Sequence, residues 1–154
     1  MGLDMFLYKV EKEEKEEIAY WRKANAIHAW FERNCADGEL ENCQEYVVTK
    51  ENLEKLKQDC ETVLNSSRLV YKTVPVREYN YDKRDYVTVE RTMNLLEDSS
   101  VAEELLPTQS GFFFGSTFYD EWYVEDLKET VEKIKDILKD KDLDKFTMVY
   151  SAWW

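Results

Sequence analysis

The chain has a single histidine, His28, in the segment YWRKANAIHAWFERN, where Trp21, Asn25, His28 and Glu32 follow one another at spacings of four, three and four. On a helix turning about 100° per residue these four side chains fall on one line. An indole, an amide, an imidazole and a carboxylate so aligned can stack on a planar ligand and hydrogen-bond its edges, with His28 the group that titrates near neutrality. Arg22 and Lys23 beside them are suited to neutralising a phosphate or carboxylate. The plainer alternative makes His28 a structural histidine bonded to Glu32 one turn later, with the basic residues solvating the helix.

A second segment, LPTQSGFFFGSTFY, offers the other wall of a site. Ser116 and Thr117 lead into a helix starting near Asp120, and the free N–H groups of a helix start favour an anionic group, although Asp120 is itself a good cap. In this reading Trp21 and Phe113 stack on the ligand, Asn25 and His28 read its polar edges, and Ser116, Thr117 or Arg22 meet its charge. The alternative is a core strand with Phe112 and Phe114 buried and Gly115 making the turn. A phosphate-binding loop is excluded, since it needs four residues between its glycines and a lysine before Ser or Thr; here three residues separate Gly111 from Gly115, and Ser116 follows directly.

Other chemistries find less. There is no Gly-x-Ser-x-Gly elbow. One His and three scattered Cys supply zinc poorly, so no metal and no cofactor are expected. Carboxylate pairs mean little where Asp and Glu number 33. An acid–base pair of His28 with Asp120 or Glu32, as in a small hydrolase, is the weaker enzymatic alternative.

The elements that must hold these residues follow from periodicity. MFLYKV (5–10) reads as a strand and EKEEKEE as a solvated boundary run; a helix is predicted from Glu16 to Cys35 on the stripe Tyr20, Ala24, Ile27 and Phe31. EYVVT (45–49) reads as a short strand with Thr49 capping a second helix on Leu53, Leu56, Cys60, Val63 and Leu64. From Arg68 to Met93 the period falls to two, predicting a hairpin about NYDKR, with Pro75 demanding an edge position. Ser99 or Ser100 opens a short helix that Pro107 closes. A third long helix runs from Asp120 to about Lys139, and KFTMVYSAWW is a closing strand. The expected fold is one α+β domain over 1–154, an antiparallel or mixed sheet with three main helices packed on it and a hairpin insertion at about 68–93.

Composition bounds the partners. Hydrophobic residues make up 44% of the 154, enough for a core despite a net charge of −12. That charge disfavours direct binding of nucleic acid and favours basic proteins or small ligands. Cys35, Cys43 and Cys60 form no Cys-x-x-Cys pair, the start lacks a signal-peptide pattern, and no apolar run is long enough to span a membrane, so a cytoplasmic setting is expected. Phe6 rules out an acylation start.

The segments AYWRKANAIHAWFERNC and ELLPTQSGFFFGSTFYDEWYVEDL, with the start MGLDMFLYK, resemble a family of small acidic hypothetical proteins of bacteriophages and bacterial genomes. The hairpin lies outside the likeness and looks like a variable insertion. The resemblance implies a bacterial or phage-infected cell and an accessory role such as modulation of host defence. Two functions are therefore carried forward. The chain is a non-enzymatic binder of a small planar anionic, nucleotide-like ligand, or an acidic inhibitor docking on a basic host protein.

Overall fold

A computed structural model of the chain describes residues 2–111 and 113–154. Its main sheet is antiparallel, with strands in the order β2 (Glu14–Arg22), β1 (Asp4–Glu11), β6 (Thr147–Trp153) and β3 (Tyr46–Val48). Helices α1 (Asn25–Cys35), α2 (Lys50–Ser66) and α4 (Glu121–Leu138) pack with it, and α3 (Ser100–Leu105) is a single short helix. Strands β4 (Leu69–Asn80) and β5 (Asp85–Leu96) form a separate two-stranded hairpin. The α+β class with three long helices is as the periodicity predicts.

The alternation along each strand decides which face is buried. Met5 and Leu7 of β1 lie beside Trp21 and Ala19 of β2 on one side and Ala152 and Tyr150 of β6 on the other, and all six are buried against the helices. Strand β6 runs between β1 and β3, and five consecutive residues from Met148 to Ala152 are buried, so both of its faces are covered there. On the helical side, Leu53, Leu56, Cys60 and Val63 of α2 and Leu127, Val131 and Ile134 of α4 are buried, as the stripes foretell. Thr49 caps α2 through a reciprocal box, its hydroxyl accepting from the Asn52 N–H at 3.1 Å while Asn52 Oδ1 accepts from the Thr49 N–H at 2.9 Å. Asp120 caps α4 one way, its carboxylate accepting from the Tyr123 N–H at 3.0 Å. Glu129 and Lys133 pair on that helix at 3.7 Å.

Two expectations are overturned. The predicted helix from Glu16 does not exist as such: Glu14–Arg22 is strand, and helix begins only at Asn25. The apolar residues of this stretch satisfy both periods, since Ala19 and Trp21 also alternate with exposed Tyr20 and Arg22. Pairing with β1 selects the strand. Its charged half is tolerated because β2 is an edge strand: the turn from β1 places Lys12 at φ 57°, and the charges pair, Lys9 with Glu16 at 3.2 Å and Lys15 with Glu45 at 2.7 Å. The Phe-rich strand is absent too. Residues 106–119 form an irregular loop in which Phe113 has φ 63° and stands half exposed, Phe114 is buried, and Phe112 lies outside the described residues.

Candidate functional site

The site grows from the junction of β2 and α1. Lys23 turns the chain at φ 54°, its N–H donating to the Leu3 carbonyl at 2.7 Å and its carbonyl accepting from Asn25 N–H at 2.9 Å. Helix α1 therefore starts without a side-chain cap, and the Asn25 amide is directed at the loop instead. Its Nδ2 donates to the carbonyls of Phe114 at 3.1 Å and Ser116 at 2.9 Å, and its Oδ1 accepts from the Gln109 N–H at 3.0 Å. One buried amide thus fastens both limbs of the loop. Both loop glycines are required. A Cβ on Gly111 would lie 2.6 Å from the Phe114 ring, and Gly115 has φ 91°.

His28 is 1% exposed, with Nδ1 2.6 Å from the Tyr150 hydroxyl in a hydrogen bond and the rings of Phe114 and Trp154 set edge-on to it. Burial pulls its pKa down to about 4, so at neutral pH the ring is uncharged and closed off from solvent. Glu32 is not its partner: that carboxylate accepts from the Leu40 N–H at 3.3 Å and from Gln109 Nε2 at 3.5 Å. Trp21 points into the core from β2, where Nε1–H donates to Thr130 Oγ1 at 2.9 Å and the ring meets Phe31 edge-on. The predicted line of Trp21, Asn25, His28 and Glu32 is thereby dissolved. With Trp21 on a strand, no single helix aligns the four.

An open cleft of about 270 Å³ lies where β2 ends, between the loop and the start of α4. Of the predicted site residues, Arg22, Asn25, Ser116 and Asp120 line it, while Trp21, His28, Phe113 and Thr117 do not. Lys23, Phe118, Trp122 and Asp126 complete its charged and aromatic walls. Trp122 is 70% exposed at the rim. Arg22 stays largely solvated, 3.4 Å from Asp4 Oδ1.

Asp120 occupies the helix start itself. Its Oδ1 accepts from Tyr123 N–H at 3.0 Å and its Oδ2 from the Ser116 hydroxyl at 3.2 Å, while Ser116 Oγ accepts from Phe118 N–H at 3.1 Å. The anion position foreseen there is filled by the protein's own carboxylate. Asp126, further along α4, is half-buried; its main-chain carbonyl accepts from the Thr130 hydroxyl at 2.7 Å, while its carboxylate takes no hydrogen bond from a described residue. Burial first, then the charges of Glu129 and Asp120, push its pKa up to about 7 against the opposing Lys133. The cleft thus sets two cations and an aromatic rim against a carboxyl that titrates near neutrality.

Sequence reading missed Asp126 and Trp122, although their spacing of four on a helix was visible. Where acidic residues are so common, only burial distinguishes one from its neighbours. Among the described residues no cluster of three or more His, Cys, Asp or Glu could hold a metal ion, and no helix is long and apolar enough to cross a membrane. Compared with known proteins, the chain matches no family model, no curated protein and no solved structure. The reading of the site therefore rests on its own geometry.

Proposed function

We propose that the chain binds a small planar molecule bearing an acidic group, nucleotide-like in its combination of ring and charge, in the cleft beside β2, the Asn25-anchored loop and α4. The convergence of Arg22 and Lys23, the rim of Phe118 and Trp122, and the half-buried carboxyl of Asp126 on one cleft carries this reading. The cations meet the acidic group, the indole stacks on the ring, and Asp126 accepts from ring N–H groups when ionised. Asn25 and Asp120 shape the cleft, since their hydrogen-bonding atoms serve the loop and the helix cap. His28, buried and neutral, offers no proton to a bound ligand. The role proposed is binding without turnover. The resemblance to phage and bacterial proteins supports placing it in a phage-infected cell, with modulation of host defence as its use.

The experiment is a calorimetric titration with nucleoside monophosphates, together with mass spectrometry of small molecules released from purified protein. Arg22→Ala and Trp122→Ala are each expected to weaken binding by about tenfold or more. Binding that survives both unchanged defeats the cleft as the site.

A second reading, docking of an acidic face on a basic host protein, is favoured by the distribution of charge. Residues 69–96 carry five Lys or Arg and four Asp or Glu, so the rest of the chain holds a net −13. Charge reversal at Glu132, Asp136 and Asp140, outside the cleft, that abolishes host-protein capture while leaving nucleotide binding intact separates this reading from the first.

A further inference from the structure

The polar groups that line the cleft divide into those the protein uses itself and those it leaves to a ligand. The Asn25 amide, the Thr108 and Ser116 hydroxyls and the Asp120 carboxylate are committed to the loop or to the start of α4. Two cations and one carboxylate remain. Lys23 has no ion-pair partner among the described residues, and Gly115 packs against its stem, where a Cβ would come within 3.3 Å of Lys23 Cβ. Arg22 stays largely solvated beside Asp4. The Asp126 carboxylate is half-buried and takes no hydrogen bond from a described residue. A carboxylate drawn out of water without a donor is costly, and a ligand that brings donors offsets that cost.

The helix fixes how such a ligand lies. Trp122 and Asp126 stand one turn apart on α4 and both line the cleft. Side chains four residues apart on a helix have Cβ atoms about 5–6 Å from one another, so a flat ring laid on the indole turns an edge towards the carboxylate. Arg22 and Lys23 enter from the end of β2, so the ring and the charged group are met by different elements. At about 270 Å³ the cleft lies at the small end of ligand sites, which run from roughly 300 to 1,000 Å³. That is room for one mononucleotide and not for a dinucleotide.

The chemistry of the carboxylate then selects the ring. An ionised carboxylate only accepts, through two oxygens side by side, so it matches two adjacent N–H groups and is opposed by any ring atom that also accepts. Adenine and cytosine set an amino group beside an accepting ring nitrogen, and uracil sets its N–H between two carbonyls. Guanine, among the common bases, sets a ring N–H beside an amino group. Taking the cleft as the binding site, as above, we propose that it selects guanine nucleotides: Asp126 receives both donors of the guanine edge, the ring lies on Trp122, and Arg22 and Lys23 hold the phosphate. Asp126 is the residue that sets specificity, and the two cations bind any nucleotide.

Calorimetric titration of the full chain with guanosine, inosine, adenosine, cytidine and uridine monophosphates tests this, at about pH 8, above the value of about 7 to which burial raises Asp126. The guanine nucleotide is expected to bind about tenfold or more tighter than those of adenine, cytosine and uracil, with the inosine nucleotide, which lacks the amino group, in between. Asp126→Asn keeps the shape of the side chain but exchanges one acceptor for a donor. It should lose the preference for guanine and bind the adenine nucleotide, whose edge pairs with an amide, at least as well. Arg22→Ala should weaken all of them alike, since they share the phosphate. Monophosphates that all bind with one affinity overturn the guanine assignment while the cleft stands as an unselective site. A guanine preference that survives Asp126→Asn overturns it equally. If none of them binds, the assignment falls together with the cleft itself.

Discussion

The loop of residues 106–119 and the β4–β5 arm each carry a cluster of aromatic side chains about a turn, yet they are held in opposite ways. The loop has no regular structure, and its carbonyls and N–H groups are satisfied across the chain: Asn25 binds three of them, Tyr123 Oη donates to Leu106 O at 2.8 Å, and Thr108 Oγ1 donates to Thr117 O at 2.9 Å. The arm is regular throughout, and beyond its root, where the Leu96 N–H donates to Tyr119 O at 2.9 Å, its hydrogen bonds are those of its own ladder, with local additions such as the Arg91–Glu78 pair at 2.7 Å. Regular backbone and tertiary anchorage are therefore independent properties. A segment without periodicity can be fixed by one buried amide, while a segment with full periodicity can stand away from the core.

This contrast is most sharply broken at Asn25. Replacement by Leu strands two carbonyls and one N–H in the loop and should cost about 3–4 kcal/mol in denaturant unfolding. A loss below about 1 kcal/mol in that measurement would mean the loop is held by something else. His28, packed against the same loop, should make stability depend on pH. Its folded pKa is depressed to about 4, so between there and the ordinary value of 6.5 the unfolded chain binds the extra proton. Stability is full above that window and declines as the pH falls through it, by a total of about 3 kcal/mol. His28→Gln should flatten this part of the profile.

Tyr150→Phe leaves His28 Nδ1 without its partner and should cost about 1–2 kcal/mol, read from the same unfolding curves. Asp126 works in the opposite sense to His28. Its folded pKa is raised from 3.8 to about 7, so the native state binds the extra proton and ionisation opposes folding as the pH rises through that window. Discounted for its partial exposure, Asp126→Asn should stabilise by about 1–2 kcal/mol above neutrality and by nothing at low pH, where both forms are uncharged. The smallest effect belongs to the arm. Tyr81→Ser should change unfolding free energy by less than about 0.5 kcal/mol, since the exposed ring supports no part of the folded core.

Much of the fold was legible because it depends on local rules. The stripes of α2 and α4, the Thr49 and Asp120 caps, and the two-residue period of the arm each express geometry that a few neighbouring residues impose. The site was half legible. Arg22, Asn25, Ser116 and Asp120 do converge on one cleft, but Asn25 and Asp120 turn out to shape it. Trp21 was misread because residues 16–24 satisfy helical and strand periods together; His28 is on a helix as predicted and is the structural histidine of the plainer alternative, with Tyr150 rather than Glu32 as its partner, and the resemblance added only a setting. The sequence by itself determined the α+β class, the capped starts of α2 and α4 and the acidic balance, since propensity, capping and charge act within a turn or two of chain. Tertiary structure alone decided that Trp21 faces Thr130, that His28 meets Tyr150 and that Asp126 holds its proton to near neutrality. Those outcomes depend on partners 109 and 122 residues away and on burial, which no local pattern encodes.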